Sequence, residues 1–357
     1  MIFSYQKILI INPFGIGDVL FTTPLISAIR SHIPSGKIGY LANARTAPVL
    51  RANPKIYKVF VYERDEFNAV YRRSKTEFWQ RSRDLLGEIK REGFELVIDL
   101  SLNGNASFLM ALIGIPHRIG FNYKNRSPFL TQKIPLTGYE GKHVVEYYLG
   151  LLKELGINAR SRKMEINVSA EDKYWAEEIW KKHNLSSSQT VIGLVPGGGG
   201  SWGKDASYKR WPAESYAKLA DKIVEMSKAA IILMGNQKER DLCHKVAQMM
   251  HHPSVQLAGE TTVTQMAALS KECKCVVVND GGPLHVAVAA GARTVSIFGP
   301  VDDVVYGPYP RENHIVVKAN LACRPCYRRF RRAECAHVSC LNSLTVEDVF
   351  EKMKGIL

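Results

Sequence analysis

Lys7 to Asp18 reads KILIINPFGIGD, and Thr190 to Gly200 reads TVIGLVPGGGG. Each is a short apolar run that stops at a Pro- and Gly-containing turn, which is how a buried strand meets a loop. Around the first, Asp18 to Ile33 carries apolar residues at helical spacing. Lys37 to Leu41 reads as a second strand, and Phe94 to Leu100 (FELVIDL) as another, ending in the polar loop Ser101 to Asn105. Around the second, Ala213 to Met226 is an amphipathic helix, and three further strands follow: Ala229 to Met234 before Gly235, Cys275 to Asn279 before Asp-Gly-Gly-Pro, and Thr294 to Phe298 before Gly-Pro. Strands alternating with helices predict an α/β fold, with parallel sheets covered by helices on both faces. In such sheets ligands bind outside the carboxyl ends of the strands. The glycine-bearing loops fall there, and because they are split between two halves they are expected to point at one crevice between two domains.

A length of 357 residues suits two domains of similar size. The reading is residues 1–168 and 169–357, with Ala170 to His183 a helix and Ser186 to Ser188 a short linker near the junction. Hydrophobic residues make up 46% and charged residues 23%, so each half can bury a core and neither reads as disordered. Seven cysteines are an odd count and too few for a disulfide framework, which points to a reducing compartment. The first residues lack a basic n-region, and Asp18 follows the apolar run directly, so they do not read as a signal peptide. The most apolar later stretch, Ala106 to Ile115, is far short of the ~20 residues of a membrane helix. A cytoplasmic protein is expected, and any membrane contact is peripheral, on the cytosolic face. The balance of 48 Lys+Arg over 34 Asp+Glu gives a net charge of +14. That excess draws polyanions; its bland alternative is lysine-rich solubility.

Three loops carry candidate chemistry. In Gly15-Ile16-Gly17-Asp18 the glycines allow a tight turn and a close ligand approach, and Asp18 is either a functional carboxylate or an N-cap. The third glycine of a dinucleotide fingerprint is replaced by Leu20, and no Gly-Lys-Ser/Thr follows. In Pro196 to Gly200 with Ser201, followed by Lys209-Arg210-Trp211-Pro212, a glycine loop with a nearby lysine reads as a phosphate cradle. In Asn279 to His285, Asp280 suits sugar hydroxyls, Gly281 and Gly282 expose N–H groups, and His285 can donate to a phosphate oxygen; a turn with a structural histidine is the alternative. Glu239 follows another strand, where an acid binds ribose hydroxyls or sits solvated on a helix.

The stretches GIGDVLFTTPLISAIR, PGGGGSWGKDASYKRWP and NDGGPLHVAVAAGARTVSIFGP resemble glycosyltransferase family 9, the ADP-heptose:lipopolysaccharide heptosyltransferases. Weaker similarity covers most of the chain, including HVVEYYLGLLKELG from His143. The resemblance implies a GT-B fold, two Rossmann-like α/β/α domains facing a central cleft: an N-terminal acceptor domain and a C-terminal nucleotide-sugar domain. It implies an inverting transfer of heptose from ADP-heptose to the lipopolysaccharide inner core, by chemistry without a metal cofactor. Asp18 corresponds to the general base. Gly17, Gly197, Gly198, Lys209, Glu239, Asp280, Gly281, Gly282 and His285 correspond to the donor site. One departure is Gly281, where the family usually carries Ser or Thr. The expected acceptor is an anionic, lipid-linked core oligosaccharide, for which Arg45, Arg51, Arg118, Lys124 and Arg126 supply phosphate-binding charge. The alternatives are a protein acceptor such as an autotransporter, a non-catalytic nucleotide-sugar binder, and, on charge alone, a nucleic-acid binder. No recognition helix or stacking platform supports the last, and no nucleic-acid partner is expected.

Cys323, Cys326, Cys335 and Cys340 form two close pairs, a pattern that suits tetrahedral ligation of a structural zinc or iron. Buried thiols are the alternative. Arg324, Arg328, Arg329, Arg331 and Arg332 crowd the same segment, and such a cluster suits the anionic headgroups of the inner membrane.

Overall fold

The computed structural model describes residues 4–185, 189–200 and 202–357; the serine linker at 186–188 and Ser201 lie outside the described residues. The chain forms two compact units. The first holds the described residues through Tyr139 together with Val144–Arg162, and the second holds Glu140–His143 and the described residues from Lys163 to Leu357.

The first unit is built on β1 (Lys7–Ile11), β2 (Lys37–Ala42), β3 (Lys58–Val61), β4 (Leu96–Asp99), β5 (His117–Tyr123) and β6 (Gln132–Leu136). They form one six-stranded sheet in the order β3-β2-β1-β4-β5-β6, parallel throughout. β1 and β4 are apolar on both faces because helices cover both sides of the sheet. Leu9, Ile11 and Val97 pack one face against Ile89, Met110 and Ile115.

The second unit repeats the plan with β7 (Val191–Val195), β8 (Ala230–Leu233), β9 (Val255–Gln256), β10 (Cys275–Asn279), β11 (Thr294–Phe298) and β12 (His314–Lys318). Its order is β12-β11-β10-β7-β8-β9, again parallel. Counted from the first strand of each unit, both sheets have the doubly wound 3-2-1-4-5-6 order, with a switch point between β1 and β4 and another between β7 and β10. Ile192, Leu194, Val277 and Ile297 bury against Trp211, Tyr216, Leu219 and Ile223, and the C-terminal residues Val349, Phe350 and Met353 close the same core. A small antiparallel hairpin of β13 (Tyr327–Arg328) and β14 (Arg331–Arg332) lies in the cysteine-bearing segment.

One expected element differs. The helix read over Asp18 to Ile33 is two helices, Ile16–Leu20 and Thr23–His32. Pro24 cannot donate to the carbonyl of Leu20, and its ring would collide with it. The hydroxyls of Thr22 and Thr23 accordingly donate to the carbonyls of Val19 and Leu20 at 2.6 and 2.8 Å.

Candidate active site

In the first unit the switch-point loop after β1 is held by two asparagines. Asn12 accepts from the amide of Phe14 at 3.1 Å and donates to the carbonyl of Asp18 at 3.1 Å. Asn43, from the loop after β2, donates to the carbonyls of Pro13 and Phe14. Gly17 and Asp18 stand in the helix Ile16–Leu20, and the Asp18 carboxylate accepts from the amide of Gly15 at 3.2 Å. The capping contact and a half-buried carboxylate at the carboxyl edge of β1 are thus both present. Burial, with the charge of Asp18 adding to it, holds the phenols of Tyr40, Tyr139 and Tyr148 protonated.

On the other side of this switch point stands Asp99, which ends β4 and is 3% exposed. One of its oxygens accepts from the amide of Ser101 at 2.9 Å, while the other is buried without a hydrogen bond. Burial raises its pKa to about 6, against the lowering effect of its bonds to Ser101 and Ser107.

The basic residues expected on this unit separate. Arg45, in the loop after β2, is exposed. Lys124 follows β5, its ammonium 5.1 Å from the ring of Tyr123. Arg126 lies where its carbonyl packs on Gly104, so tightly that a Cβ at 104 would stand 2.2 Å away. Arg51 closes the short helix Ala47–Arg51. Arg118 is used differently: near the amino end of β5, its guanidinium donates to the carbonyls of Phe129, Ile115 and Pro116. It holds the β5–β6 connection in place.

In the second unit the loops after β7, β8 and β10 converge on the other switch point. Asn279, fully buried, joins two of them: it accepts from the amide of Trp211 at 3.1 Å and donates to the carbonyl of Pro196 at 2.7 Å. Glu239, 2% exposed, joins the third. Its Oε1 accepts from the amide of Gly199 at 2.8 Å, and its Oε2 from the amide and the side chain of Asn236 at 2.9 and 2.7 Å. Arg210 donates to the carbonyl of Gly197 at 2.8 Å and stands 3.8 Å from the same carboxylate. A carboxylate offers about four acceptor positions. The position read as a ribose contact therefore uses one acceptor position on the glycine loop, at Gly199, and two on Asn236 of its own loop.

The glycines themselves make the loops fit one another. A Cβ at Gly197 would stand 2.0 Å from Glu239, one at Gly199 2.8 Å from Pro283, and one at Gly281 1.8 Å from the carbonyl oxygen of Gly198. This gives Gly281 a physical reason: with the β7 and β10 loops this close, a Ser or Thr side chain has no room.

Lys209, 8% exposed, places its ammonium 2.8 Å from Asp280 and 4.5 Å from the ring centre of Trp202. Gly282 opens the helix Gly282–Ala289, which aims its N-terminus at the carboxyl edge of the sheet and carries His285 in its first turn. Burial, together with the charges of His143 and Lys209, pushes His285 well below the usual histidine range, so it is neutral at pH 7. The arrangement is one cation, one anion, a helix N-terminus and a neutral imidazole around glycine-lined backbone. It suits a ligand carrying both hydroxyls and phosphate.

Two residues of this site were not singled out from the sequence. Arg210 was visible inside the Lys209–Pro212 block. His143, from the short segment Glu140–His143, bonds the carbonyl of Gly307 at 3.1 Å and stacks on Tyr309 at 4.5 Å. Burial lowers its pKa to about 4. Its only sequence signal was its place at the head of HVVEYYLGLLKELG.

The four tail cysteines are unpaired thiols, exposed at Cys323 and buried at Cys340. Burial raises the pKa values of Cys326 and Cys340, and each feels Cys323 and Cys335 as well. Among the described residues no group of three or more His, Cys, Asp or Glu side chains is arranged to hold a metal ion. No described helix is long and apolar enough to cross a membrane.

The sequence model of glycosyltransferase family 9 (heptosyltransferase) matches residues 82–337. The chain is 24% identical to lipopolysaccharide heptosyltransferase 2 of Escherichia coli K12, over 99% of both chains. Its fold is similar to that of a family 9 glycosyltransferase from Veillonella parvula, with a TM-score of 0.84 at 23% identity over 100% of this chain and 98% of the other. It is also similar to the ADP-heptose lipopolysaccharide heptosyltransferase II of Escherichia coli, with a TM-score of 0.76 at 24% identity over 98% of both. With its two parallel six-stranded sheets flanked by helices, the chain has the GT-B fold of two Rossmann-like domains.

Proposed function

The chain belongs to glycosyltransferase family 9, the heptosyltransferases, and from that premise we propose that it moves heptose from ADP-heptose to an anionic lipopolysaccharide inner-core acceptor. The observation that carries the reading is the convergence of Lys209, Asp280, Gly281, Gly282 and His285 at the switch point of the second unit, with the ammonium 2.8 Å from the carboxylate. Relatives along the full length carry the name lipopolysaccharide heptosyltransferase 2.

In this reading the donor diphosphate draws the Lys209 ammonium from Asp280, and the N-terminal amides of the helix at Gly282 share the phosphate charge. Asp280 turns to sugar hydroxyls, and neutral His285 donates to a phosphate oxygen. Glu239 serves the donor by holding the glycine loop in place at Gly199. Asp18 takes the proton of the acceptor hydroxyl as that oxygen attacks the anomeric carbon, and the bond to the ADP oxygen breaks with inversion. Arg45, Arg51, Lys124 and Arg126 meet acceptor phosphates, while Arg118 keeps its structural role. The test is incubation with ADP-heptose, UDP-hexoses and GDP-hexoses together with a truncated lipid acceptor. ADP release only from ADP-heptose supports the assignment; diphosphate release only from UDP- or GDP-hexoses rejects it.

Two finer readings belong with it. The exposed Arg328 and Arg331 suit peripheral contact with anionic headgroups on the cytosolic face, at ~1 kcal/mol per basic residue. The spacing of Cys323, Cys326, Cys335 and Cys340 as two close pairs within one segment is what supports a shared structural zinc or iron. Sedimentation with anionic vesicles tests the first, and metal content after anaerobic purification the second.

A further inference from the structure

The hairpin β13–β14 is not an isolated surface feature. Tyr327 and Arg332 are cross-strand partners in it, and both grip the turn that ends in Lys209. The ring of Tyr327 lies 5.0 Å from that of Trp202, whose other neighbour is the Lys209 ammonium. The guanidinium of Arg332 lies 3.8 Å from the ring centre of Tyr208, the residue before Lys209, and 3.6 Å from the carboxylate of Asp205 in the same turn. The base of the hairpin is fixed to the loop after β11. The amides of Cys326 and Tyr327 both donate to the carbonyl of Pro300 at 3.0 Å, and Arg324 bonds the carbonyls of Gly299 and Val301. The turn Gly203–Lys209 is a stretch of 3-10 helix, a conformation with poor internal hydrogen bonds that needs outside support.

We propose that this cysteine-flanked hairpin is a brace for the donor site, and that Tyr327 and Arg332 are positioning residues that hold Lys209 where a nucleoside diphosphate meets it. The proposal rests on the donor reading above. The chain of contact is Pro300 to Tyr327 to Trp202 to Lys209, with Arg332 clamping the turn through Asp205 and Tyr208. Stacking and cation–π contacts of this kind keep a desolvated ammonium in one place. Without them the turn is free to carry Lys209 away from the diphosphate, while the core of the unit is left intact.

The test combines two measurements on the full chain. In hydrogen exchange, Tyr327→Ala and Arg332→Ala speed exchange in residues 202–209 and leave β7, β10 and β11 protected; unchanged exchange in 202–209 overturns the brace. In titration calorimetry with ADP, each variant weakens binding about tenfold, which is about 1.4 kcal/mol. Tyr327→Phe keeps the ring contact with Trp202, and so binds like the parent. In a Lys209→Ala background, Tyr327→Ala adds no further loss, because its effect runs through the missing ammonium. Parent-like ADP affinity in the alanine variants, or a full additional loss in the Lys209→Ala background, also overturns the proposal. If the unaltered chain does not bind ADP, the donor reading falls, and the exchange measurement alone decides the brace.

Discussion

Glu239→Gln separates a tether from a ligand contact. The carboxylate is 2% exposed and takes hydrogen bonds from Gly199 and, twice, from Asn236. Turned one way, the glutamine's NH2 group faces the buried amide of Gly199; turned the other, it faces both donors of Asn236. A hydrogen bond to a charged group contributes about 1.5–3 kcal/mol, and a buried donor left facing another donor costs about 1–3 kcal/mol more. Adding the weakened attraction to Arg210, the expected loss is about 3 kcal/mol. For a unit of this size each kcal/mol lowers Tm by about 2–4 °C, so the melting of the second unit should fall by about 6–12 °C. Differential scanning calorimetry reads this directly, and calorimetric titration with ADP follows the looser glycine loop as weaker binding. A Tm within ~2 °C of the parent together with a large loss of ADP affinity would refute the reasoning. It would make Glu239 a direct ribose contact whose protein bonds contribute little.

Three other outcomes follow from the same geometry. Gly281→Ser sets a Cβ 1.8 Å from the carbonyl oxygen of Gly198, so the two loops must part; it should cost about 1–3 kcal/mol in urea unfolding and weaken ADP binding, and a neutral effect on both contradicts the packing argument. Lys209→Ala leaves Asp280 buried beside no ammonium and should destabilise by about 3–5 kcal/mol; adding Asp280→Asn should restore much of the stability but none of the ADP affinity, and recovery of both would remove Lys209 from the donor site. Asp99 has a folded pKa raised to about 6 from 3.8, so its stabilising contribution is present below pH 4 and is lost as pH rises through 6. A shift of this size corresponds to about 3 kcal/mol. Asp99→Asn should therefore be the more stable protein at pH 8, with the difference shrinking towards pH 4, as urea midpoints across that range would show.

Much of the architecture could be read from local pattern. The apolar runs that became β1, β2, β4, β7, β8, β10 and β11 are buried on both faces, so their sequences are nearly continuous; those of β1, β7, β8, β10 and β11 end at Gly- or Pro-bearing turns, and those of β2 and β4 at polar loops. Edge strands were harder. β6 reads QKIPL and alternates between exposed and covered positions, and β3 is KVFV with a single buried residue; neither carries enough apolar signal to stand out. The break at Thr22 needed more weight on Pro24 than the helical spacing of its neighbours allowed. At the site, residue types were legible but their partners were not. The missing Cβ at Gly197, Gly199 and Gly281 also lets neighbouring loops pack close, and spacing along the chain says nothing about Glu239 arriving at Gly199 from a different strand. His143 escaped for the same reason: its contacts with Gly307 and Tyr309 join positions 164 residues apart and more. Arg118 shows the converse. It was read among the loop cations for acceptor phosphate, but it stands in β5 and its guanidinium bonds the carbonyls of Phe129, Ile115 and Pro116.

The central claim assigns base chemistry to Asp18 and donor binding to the second unit, and Asp18→Asn tests it most directly. The substitution keeps the size of the side chain and removes its basicity. Measured side by side, ADP release in the presence of ADP-heptose and a truncated lipid acceptor should fall by a factor of about 100 or more, while the Kd for ADP stays at the parent value. Parent-like transfer by Asp18→Asn would contradict the account.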